Sequence, residues 1–251
     1  MKVSIITICY NSASTIEETI QSVLSQDYPD IEYIIVDGAS KDNTMEIVNR
    51  YKTQIQKIIS EPDKGIYDAM NKGVDSCTGD LIGILNSDDV YASAQIISHV
   101  VNKINESGTD SVYGDLIYVK REQLEKIHRY WRSGEYRREN FRKGWMPPHP
   151  AFFVKRDCYL KYGKFRTEMK TAADYELMLR FLYKEKVSSC YLPEIITKMR
   201  AGGLSNVSLK NRIQANRDDR RAWKINGLKP GPLTLIRKPL SKIFQFIKKG
   251  S

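Results

Sequence analysis

The sequence predicts an α/β fold with a Rossmann-like, mostly parallel sheet flanked by helices. Segments rich in β-branched residues alternate with segments of helical periodicity, as β-α-β-α-β-α-β, over about the first 90 residues. The carboxyl ends of parallel strands meet at one sheet edge, where such folds bind ligands. Polar side chains recur after successive predicted strands, at Thr7/Asn11, Asp37/Ser40, Asp63/Lys64 and Asp88/Asp89.

The N-terminal half alternates regularly. Residues 3–8 predict a strand, and a capping box of Ser14 and Glu17 predicts that a helix follows, with Ile16, Ile20 and Val23 at helical spacing. The next predicted elements are a strand over 31–36, a helix capped by residues 42–44, a short strand over 55–60, a helix over 67–76 and a strand from residue 81.

The second half is less regular. Its predicted elements are helices over 90–104, 174–184 and 209–224 and strands over 111–119, 149–154 and 195–199. Residues 120–143 are basic and aromatic, and their pattern assigns no element. Residues 229–232, Lys-Pro-Gly-Pro, indicate a linker.

Several classes of protein are disfavoured. No apolar run approaches the roughly 20 residues that cross a bilayer, and residues 1–10 are typical of a first strand and not of a signal peptide. The four cysteines are scattered, so we expect free cytosolic thiols. The chain has neither the G-x-G-x-x-G fingerprint after its first strand nor a P-loop, which disfavours nicotinamide or flavin cofactors and P-loop NTPases.

The charge is distributed unevenly. Residues 1–110 contain 8 Lys and Arg against 17 Asp and Glu, whereas residues 111–251 contain 32 against 13, which gives the net charge of +10. This polarity predicts that the second half meets an anionic partner. Charge alone does not distinguish nucleic acid from anionic lipid.

The apolar run over residues 81–85 ends in the adjacent carboxylates of Asp88 and Asp89. Two acids held together repel each other unless a cation or a proton intervenes. A divalent ion that also binds phosphate oxygens is one suitable cation. The alternative is a surface turn, because Asn-Ser-Asp-Asp is also good turn composition.

Five motifs resemble those of the GT-A-fold glycosyltransferases of family 2, which are inverting enzymes that mostly use nucleotide sugars. They are SIITICYN at 4–11, VDGASKDNT at 36–44, GIYDAMNKG at 65–73, LNSDD at 85–89 and TAADYEL at 171–177. The resemblance extends to about residue 205 and is strongest to bacterial enzymes of O-antigen, capsule or exopolysaccharide synthesis. It implies a nucleotide-sugar-binding half (1–110), an acceptor-binding half (111–228), and a linker with an amphipathic tail (229–251).

The resemblance implies a set of donor contacts, which are Thr7, Tyr10, Asn11, Asp37, Lys64, Asp68, Asn71, Asn86, Ser87 and Asp88. Asp37 is expected at the uridine end of a UDP-sugar. Structural alternatives without ligand contact remain open for two of these residues. In one, Thr7 serves only in the pairing of the sheet, and in the other, Asp68 serves only to cap a helix or to form a salt bridge.

The family's metal motif is D-x-D, and here Asn86 replaces its first acid. The resemblance implies that Asp88 binds Mn²⁺ or Mg²⁺ at the diphosphate, with Asp89 as a second ligand or as a residue that orients its neighbour.

Inversion needs a base that deprotonates the acceptor hydroxyl, and the resemblance implies Asp174 in this role. The alternative is that Asp174 is an ordinary helix N-cap, and Glu176 is then the next candidate for the base. His149 is expected at the acceptor, although a buried structural histidine is an equal alternative.

The tail over 229–251 is basic and amphipathic, which predicts either a helix at an anionic membrane surface or one packed on the domain. We therefore expect a cytoplasmic enzyme, peripheral at the inner face of the cell membrane, with an undecaprenyl-diphosphate-linked glycan as acceptor. A nucleotidyltransferase and a nucleic-acid-binding protein are the alternatives. The acidic first half and the absence of a nucleic-acid-binding motif argue against nucleic acid as a partner.

Overall fold

The N-terminal half forms the predicted alternation of strands and helices. The computed structural model describes residues 1–169, 171–202, 209–231 and 234. Its first elements are β1 (Val3–Cys9), α1 (Ile16–Leu24), β2 (Ile31–Asp37), α2 (Thr44–Arg50), β3 (Lys57–Ser60), α3 (Ile66–Ser76) and β4 (Leu81–Asn86).

The second half adds shorter elements. They are β5 (Asp89–Tyr91), α4 (Ile96–Ser107), β6 (Ser111–Lys120), β7 (Gln123–Trp131), β8 (Phe152–Lys155), α5 (Arg156–Tyr162), α6 (Ala173–Met178), β9 (Ser189–Arg200) and α7 (Leu209–Ile225). Two 3-10 turns cover Arg138–Lys143 and His149–Ala151, and α6 continues as a π-helical segment over Leu179–Lys184.

All described strands form one sheet, in the order β3-β2-β1-β4-β8-β6-β9-β5, with β7 paired to β6. Strands β1 to β4 are parallel, and so are β6 and β9. Strand β8 runs antiparallel to both of its neighbours, and β5 and β7 are antiparallel to β9 and β6. The predicted α/β fold with a mostly parallel sheet is therefore confirmed.

The sheet is buried on both faces because its side chains alternate between two cores. Along β1, Val3 and Ile5 join the core beneath α1, α2 and α4, whereas Ile6 and Ile8 join the core beneath α3. Because helices cover both faces of the sheet, the ends of the strands are the part that is open to a ligand.

A close approach fixes α3 on the sheet. A Cβ at Gly73 would lie 2.4 Å from the Ile6 side chain, so only glycine allows this spacing. The approach holds the second half of α3 against the middle of β1.

Several predicted boundaries are wrong. The helix expected over 90–104 begins only at Ile96, because residues 89–91 form β5 and pair with β9. The expected strand over 149–154 starts as a 3-10 turn, and residues 120–143 contain β7. The predicted capping box is also absent, since the N-cap of α1 is Thr15 and makes no side-chain cap hydrogen bond.

The amphipathic-tail prediction falls almost wholly outside the described residues. Of the tail, the structure describes only residues 229–231 and 234. Thr234 is buried, and its hydroxyl donates a hydrogen bond to the main-chain carbonyl of Arg142. Within the described part of the chain, no helix is long and apolar enough to span a membrane.

Candidate active site

The predicted site residues converge at the carboxyl ends of the first strands. The register pairs Cys9 with Asp37 and Ile8 with Asn86, so the loops after β1, β2 and β4 start side by side. This is the crevice that the alternation predicted.

Asp37 organises two of these loops. Its carboxylate is fully buried and accepts hydrogen bonds from the Ser40 N–H at 3.1 Å, the Ser40 hydroxyl at 2.5 Å and the Ser60 hydroxyl at 2.7 Å. The Ser40 hydroxyl in turn accepts the Asn11 N–H at 2.8 Å, and the Asn11 side chain accepts the Lys41 N–H at 2.8 Å. Asp37 thus fixes the crevice wall, and direct contact with a ligand would require one of the serines to release it.

Tyr10 and Asp63 line the open part of the crevice around Gly38. Tyr10 is 57% exposed. A Cβ at Gly38 would lie 2.4 Å from an Asp63 carboxylate oxygen and 3.4 Å from the Tyr10 ring, so glycine is needed here for close packing. Asp63 was not among the predicted donor contacts, although its position after a strand was visible in the sequence.

Three predicted donor contacts are engaged elsewhere in the fold. Thr7 is fully buried, and its hydroxyl accepts a hydrogen bond from Tyr33 at 3.1 Å. Asp68 accepts the Lys64 N–H at 2.9 Å, at the start of its own helix. Asn71 binds the main-chain N–H and carbonyl of Phe165, each at 2.9 Å. These contacts favour structural roles for the three residues, whereas Lys64 is exposed at the crevice.

The loop after β4 presents the acid pair. Asp88 is half-buried and Asp89 fully buried, and the Asn86 amide donates to Asp89 at 2.9 Å. Ser87 and Ser12 share a hydrogen bond of 2.8 Å, which joins this loop to the loop after β1.

The two acids resist ionisation. Burial raises the pKa of Asp88, with the positive charge of Arg121 opposing it. Burial raises the pKa of Asp89 further, and the charge of Asp88 adds to this rise, whereas the hydrogen bond from Asn86 lowers it. Added positive charge at this loop would therefore be favourable.

The residues of this loop fit a divalent cation of the kind that also binds phosphate. Among the described residues no cluster of three or more His, Cys, Asp or Glu forms a complete metal site. Mg²⁺ at phosphates commonly uses only one or two carboxylates. The side-chain oxygens Asn86 Oδ1 and Asp89 Oδ1 are buried without a hydrogen-bond partner, which suits a site completed by a ligand. Asp88 is the more exposed of the two acids, and Asp89 accepts the hydrogen bond from the Asn86 amide.

Arg200 holds the acid loop in place and was missed by the sequence analysis. This buried guanidinium donates to the carbonyl of Asp88 at 2.6 Å and to the carbonyl of Arg121 at 2.9 Å, and it forms an ion pair with Glu18. It therefore brings the β6–β7 turn, which carries Arg121, beside Asp88. Only the pairing of β5 with β9 reveals this role.

Asp174 lies near the start of α6 but does not cap it. The N-cap position is Ala172, so the N-cap interpretation of Asp174 is wrong. The half-buried Asp174 carboxylate accepts a hydrogen bond from the Tyr67 hydroxyl at 3.2 Å. Burial raises the pKa of Tyr67, and the Asp174 charge raises it further.

Glu176, the alternative base, is committed to the fold. It is fully buried and receives hydrogen bonds from Arg180 at 3.0 Å, Arg166 at 3.2 Å and Asn226 at 3.0 Å. A carboxylate with its oxygens so occupied is unsuited to accept a proton from a substrate.

Tyr118 links the acid pair to Asp174. Burial raises the pKa of Tyr118, the charge of Arg129 lowers it, and the charges of both Asp89 and Asp174 raise it. The Arg129 guanidinium lies 4.3 Å from the centre of the Tyr118 ring. The charges of Asp89 and Asp174 therefore both act on Tyr118, and Arg129 stacks on the ring of the same residue. Arg129 belongs to the basic, aromatic residues 120–143, to which the sequence assigned no element.

His149 packs against Phe165, whose main chain Asn71 also contacts. It is 8% exposed, and its ring meets Phe165 edge-on at 5.6 Å between centroids. Burial lowers the pKa of His149, and the charge of Asp174 opposes this shift. The imidazole is therefore held neutral near Asp174.

Residues 4–158 match the family model described as Glycosyl transferase family 2. The chain belongs to this family. The match includes the crevice loops, the acid pair and His149, and it ends before Asp174.

Two mycobacterial proteins named as glycosyltransferases resemble most of the chain. The PGL/p-HBAD biosynthesis glycosyltransferase of Mycobacterium bovis is 29% identical over 208 residues, 81% of this chain and 78% of that protein. An uncharacterized glycosyltransferase of Mycobacterium tuberculosis is 31% identical over 180 residues, 71% of this chain and 68% of that protein. The chain is a glycosyltransferase.

Two solved structures share the fold of this chain. TarS of S. aureus in complex with UDP-GlcNAc has a TM-score of 0.71 at 18% identity, over 94% of this chain and 69% of that one. The mannosyltransferase PcManGT of Pyrobaculum calidifontis, in complex with GDP-Man and Mn²⁺, has a TM-score of 0.67 at 19% identity, over 98% of this chain and 72% of that one. The predicted GT-A-like fold is thereby confirmed.

Proposed function

We propose that this glycosyltransferase transfers a sugar, with inversion and with the help of a divalent metal, from a UDP-sugar to a lipid-linked glycan. The observation that carries the proposal is the acid loop after β4, where buried side-chain oxygens of Asn86 and Asp89 have no hydrogen-bond partner among the described residues and Asp88 is half-buried. Fold relatives bound to UDP-GlcNAc, and to GDP-Man with Mn²⁺, support a nucleotide-sugar donor.

The nucleotide would occupy the crevice after β1, β2 and β3. Tyr10 offers an exposed ring, and Asp63 and Lys64 offer polar groups beside it. Asp37 would contribute mainly by holding in place the loops that carry Ser40 and Asn11. The diphosphate would then lie at Asn86, Ser87 and Asp88, next to Arg121.

The chemistry follows from this placement. An acceptor hydroxyl attacks the anomeric carbon as the bond to the diphosphate breaks, and the bond's electron pair leaves with the diphosphate. Asp174 takes the hydroxyl proton, while Tyr67 orients its carboxylate. Bound Mn²⁺ or Mg²⁺, held by Asp88, would neutralise charge on the diphosphate. His149, neutral beside Asp174, would bind an acceptor oxygen.

A thermal-shift panel tests the donor proposal. UDP, GDP and CDP are each compared with and without Mn²⁺, with EDTA as the metal-free control. We expect UDP with Mn²⁺ to raise the melting temperature most, because ligand binding to the folded state shifts unfolding by mass action. Equal behaviour of all three nucleotides, or no effect of the metal, would contradict the proposal.

The acceptor proposal rests on charge. The excess of Lys and Arg after residue 110, together with the tail over 229–251, suits an anionic membrane surface that carries a diphosphate-linked lipid. We propose a role in bacterial surface polysaccharide synthesis, of the O-antigen or capsule type, at the inner face of the cell membrane. Flotation with anionic and neutral liposomes tests it: the full chain should float with anionic vesicles only, and a variant ending at residue 228 should float less.

A further inference from the structure

Helix α7 contacts the chain on both sides of Asp174. Thr171, three residues before the acid, donates its hydroxyl hydrogen to Asp218 at 2.6 Å. Tyr175, the next residue after it, accepts the indole N–H of Trp223 at 2.8 Å. Both α7 side chains are buried, with Asp218 4% and Trp223 0% exposed.

A third contact extends this support beyond the end of α7. Asn226 donates to the Glu176 carboxylate at 3.0 Å and is anchored to the Ala222 carbonyl at 2.8 Å. Asp218 also receives the Gln214 amide at 3.0 Å, so its orientation is fixed within α7. The segment over 171–176 is thus held by three side chains that come from residues 218–226.

These contacts are made by neighbours of Asp174 in the chain and not by Asp174 itself. Asp174 contributes no atom to them, and its carboxylate instead accepts the Tyr67 hydroxyl. The supports therefore act on the backbone that carries the acid and leave the acid itself available to a substrate.

Helix α6 depends on such external support. It spans six residues before its turns widen into the π-helical segment. Helices this short are unstable alone and take their geometry from tertiary packing. A base must also sit within hydrogen-bond reach of the proton that it removes, so a small displacement of the segment would cost rate.

We propose that α7 and the turn after it position the general base: Asp218, Trp223 and Asn226 act as positioning residues that fix the Asp174 carboxylate at the acceptor. The inference rests on the proposed function, because it takes Asp174 as the base. The residues involved follow residue 158, where the family match ends.

Two conservative variants test the inference. Thr171→Val and Tyr175→Phe each remove one hydroxyl that meets α7 and leave Asp174 itself unchanged. We expect kcat to fall about tenfold with the donor KM unchanged, because the base is displaced while the donor crevice is intact. The assay uses hydrolysis of the UDP-sugar that is turned over fastest in a screen, with water in the acceptor's place.

Tyr113→Phe is the matched control. Tyr113 is fully buried, and its hydroxyl donates to the Gly134 carbonyl at 2.7 Å, away from α6 and α7. This variant should lose stability, as Tyr175→Phe does, and keep its kcat. Equal kcat in all three variants, or an equal fall in all three, would overturn the inference.

A double-mutant cycle separates positioning from general stability. Residual turnover in an Asp174→Asn background, followed with radiolabelled donor, should be lowered less than about twofold by Thr171→Val, because the supported group is already gone. Additive losses in the cycle, with Asp174→Asn itself strongly impaired but measurable, would overturn the role of α7 alone. Full activity of Asp174→Asn would overturn both the base assignment and this inference.

Discussion

Asn86 and Asp89 each keep one buried side-chain oxygen without a hydrogen-bond partner among the described residues. A buried acceptor in this state costs about 1–3 kcal/mol, so a fold seldom keeps two of them side by side without a use. Asp88, which lies between these two residues in the sequence, is half-buried. We attribute this arrangement to a site that is completed when the donor binds.

Replacing Asp88 tests this view at the level of one side chain. Asp88→Asn keeps the shape and removes the charge that would hold the cation, so we expect kcat/KM for the donor to fall by about a hundredfold or more. The control is Asp75→Asn, which removes a surface carboxylate that pairs with Lys164. Circular dichroism should show both variants folded, and near-normal turnover of Asp88→Asn would refute its role.

The limits of prediction from sequence also appear at single residues. The polar strand ends placed Asp37 and Asp88 at one end of the sheet, because such strand ends are encoded locally, whereas Asp174 was assigned by the resemblance alone. The same resemblance suggested ligand contacts for Thr7 and Asn71. Their partners, Tyr33 and the Phe165 main chain, lie 26 and 94 residues away, and no local pattern predicts such pairs.

Among the elements, those set by local pattern were predicted and those set by distant pairing were not. Strands β1, β2 and β4 are rich in apolar residues and were predicted close to their observed bounds. Strand β5 has three residues and exists because Asp89–Tyr91 pairs with β9, more than 100 residues later. Residues 89–91 continue the helical pattern of the residues that follow them. Their tertiary pairing with β9 overrides this local preference.

The spacing of α3 and β1 gives a prediction for an element. Gly73→Ala puts a Cβ 2.4 Å from Ile6 Cγ2, so α3 must move away from the sheet or Ile6 must leave its rotamer. We expect a loss of about 1–3 kcal/mol in the free energy of unfolding, measured by urea denaturation.

Ile6→Ala supplies the control for that spacing, because it removes the methyl group that would clash. On its own it leaves a cavity, but combined with Gly73→Ala it should cost less than the sum of the two single losses. A fully additive double variant would show that the close approach does not limit this position.

At the scale of the whole molecule, the carboxyl ends of β1, β2 and β4 carry the site. A buried acid, Glu32, lies at the opposite, amino ends of these strands. Glu32, 7% exposed, accepts hydrogen bonds from the Ser4 hydroxyl at 2.5 Å and from the Thr78 hydroxyl and N–H at 2.6 and 2.7 Å. Lys2 lies 3.3 Å from the same carboxylate. One side chain thus joins β1, β2 and the loop that leads into β4, which are the strands whose far ends form the crevice.

Glu32 therefore predicts a pH dependence of stability. Burial by itself would raise its pKa, but the hydrogen bonds from Ser4, Thr78 and Lys2 outweigh burial and lower the pKa from 4.5 to about 2. A lowered pKa in the folded state means that the ionised form stabilises the protein above about pH 4.5, and that this contribution is lost as the pH falls towards 2. Glu32→Gln should lower the melting temperature by several degrees at pH 7, and the gap to the parent protein should close between pH 4.5 and 2.

Glu46→Gln, at an exposed pair with Arg50, should show no comparable gap at pH 7. A gap for Glu32→Gln that stays constant over this pH range would show that shape and not charge sets the role of Glu32.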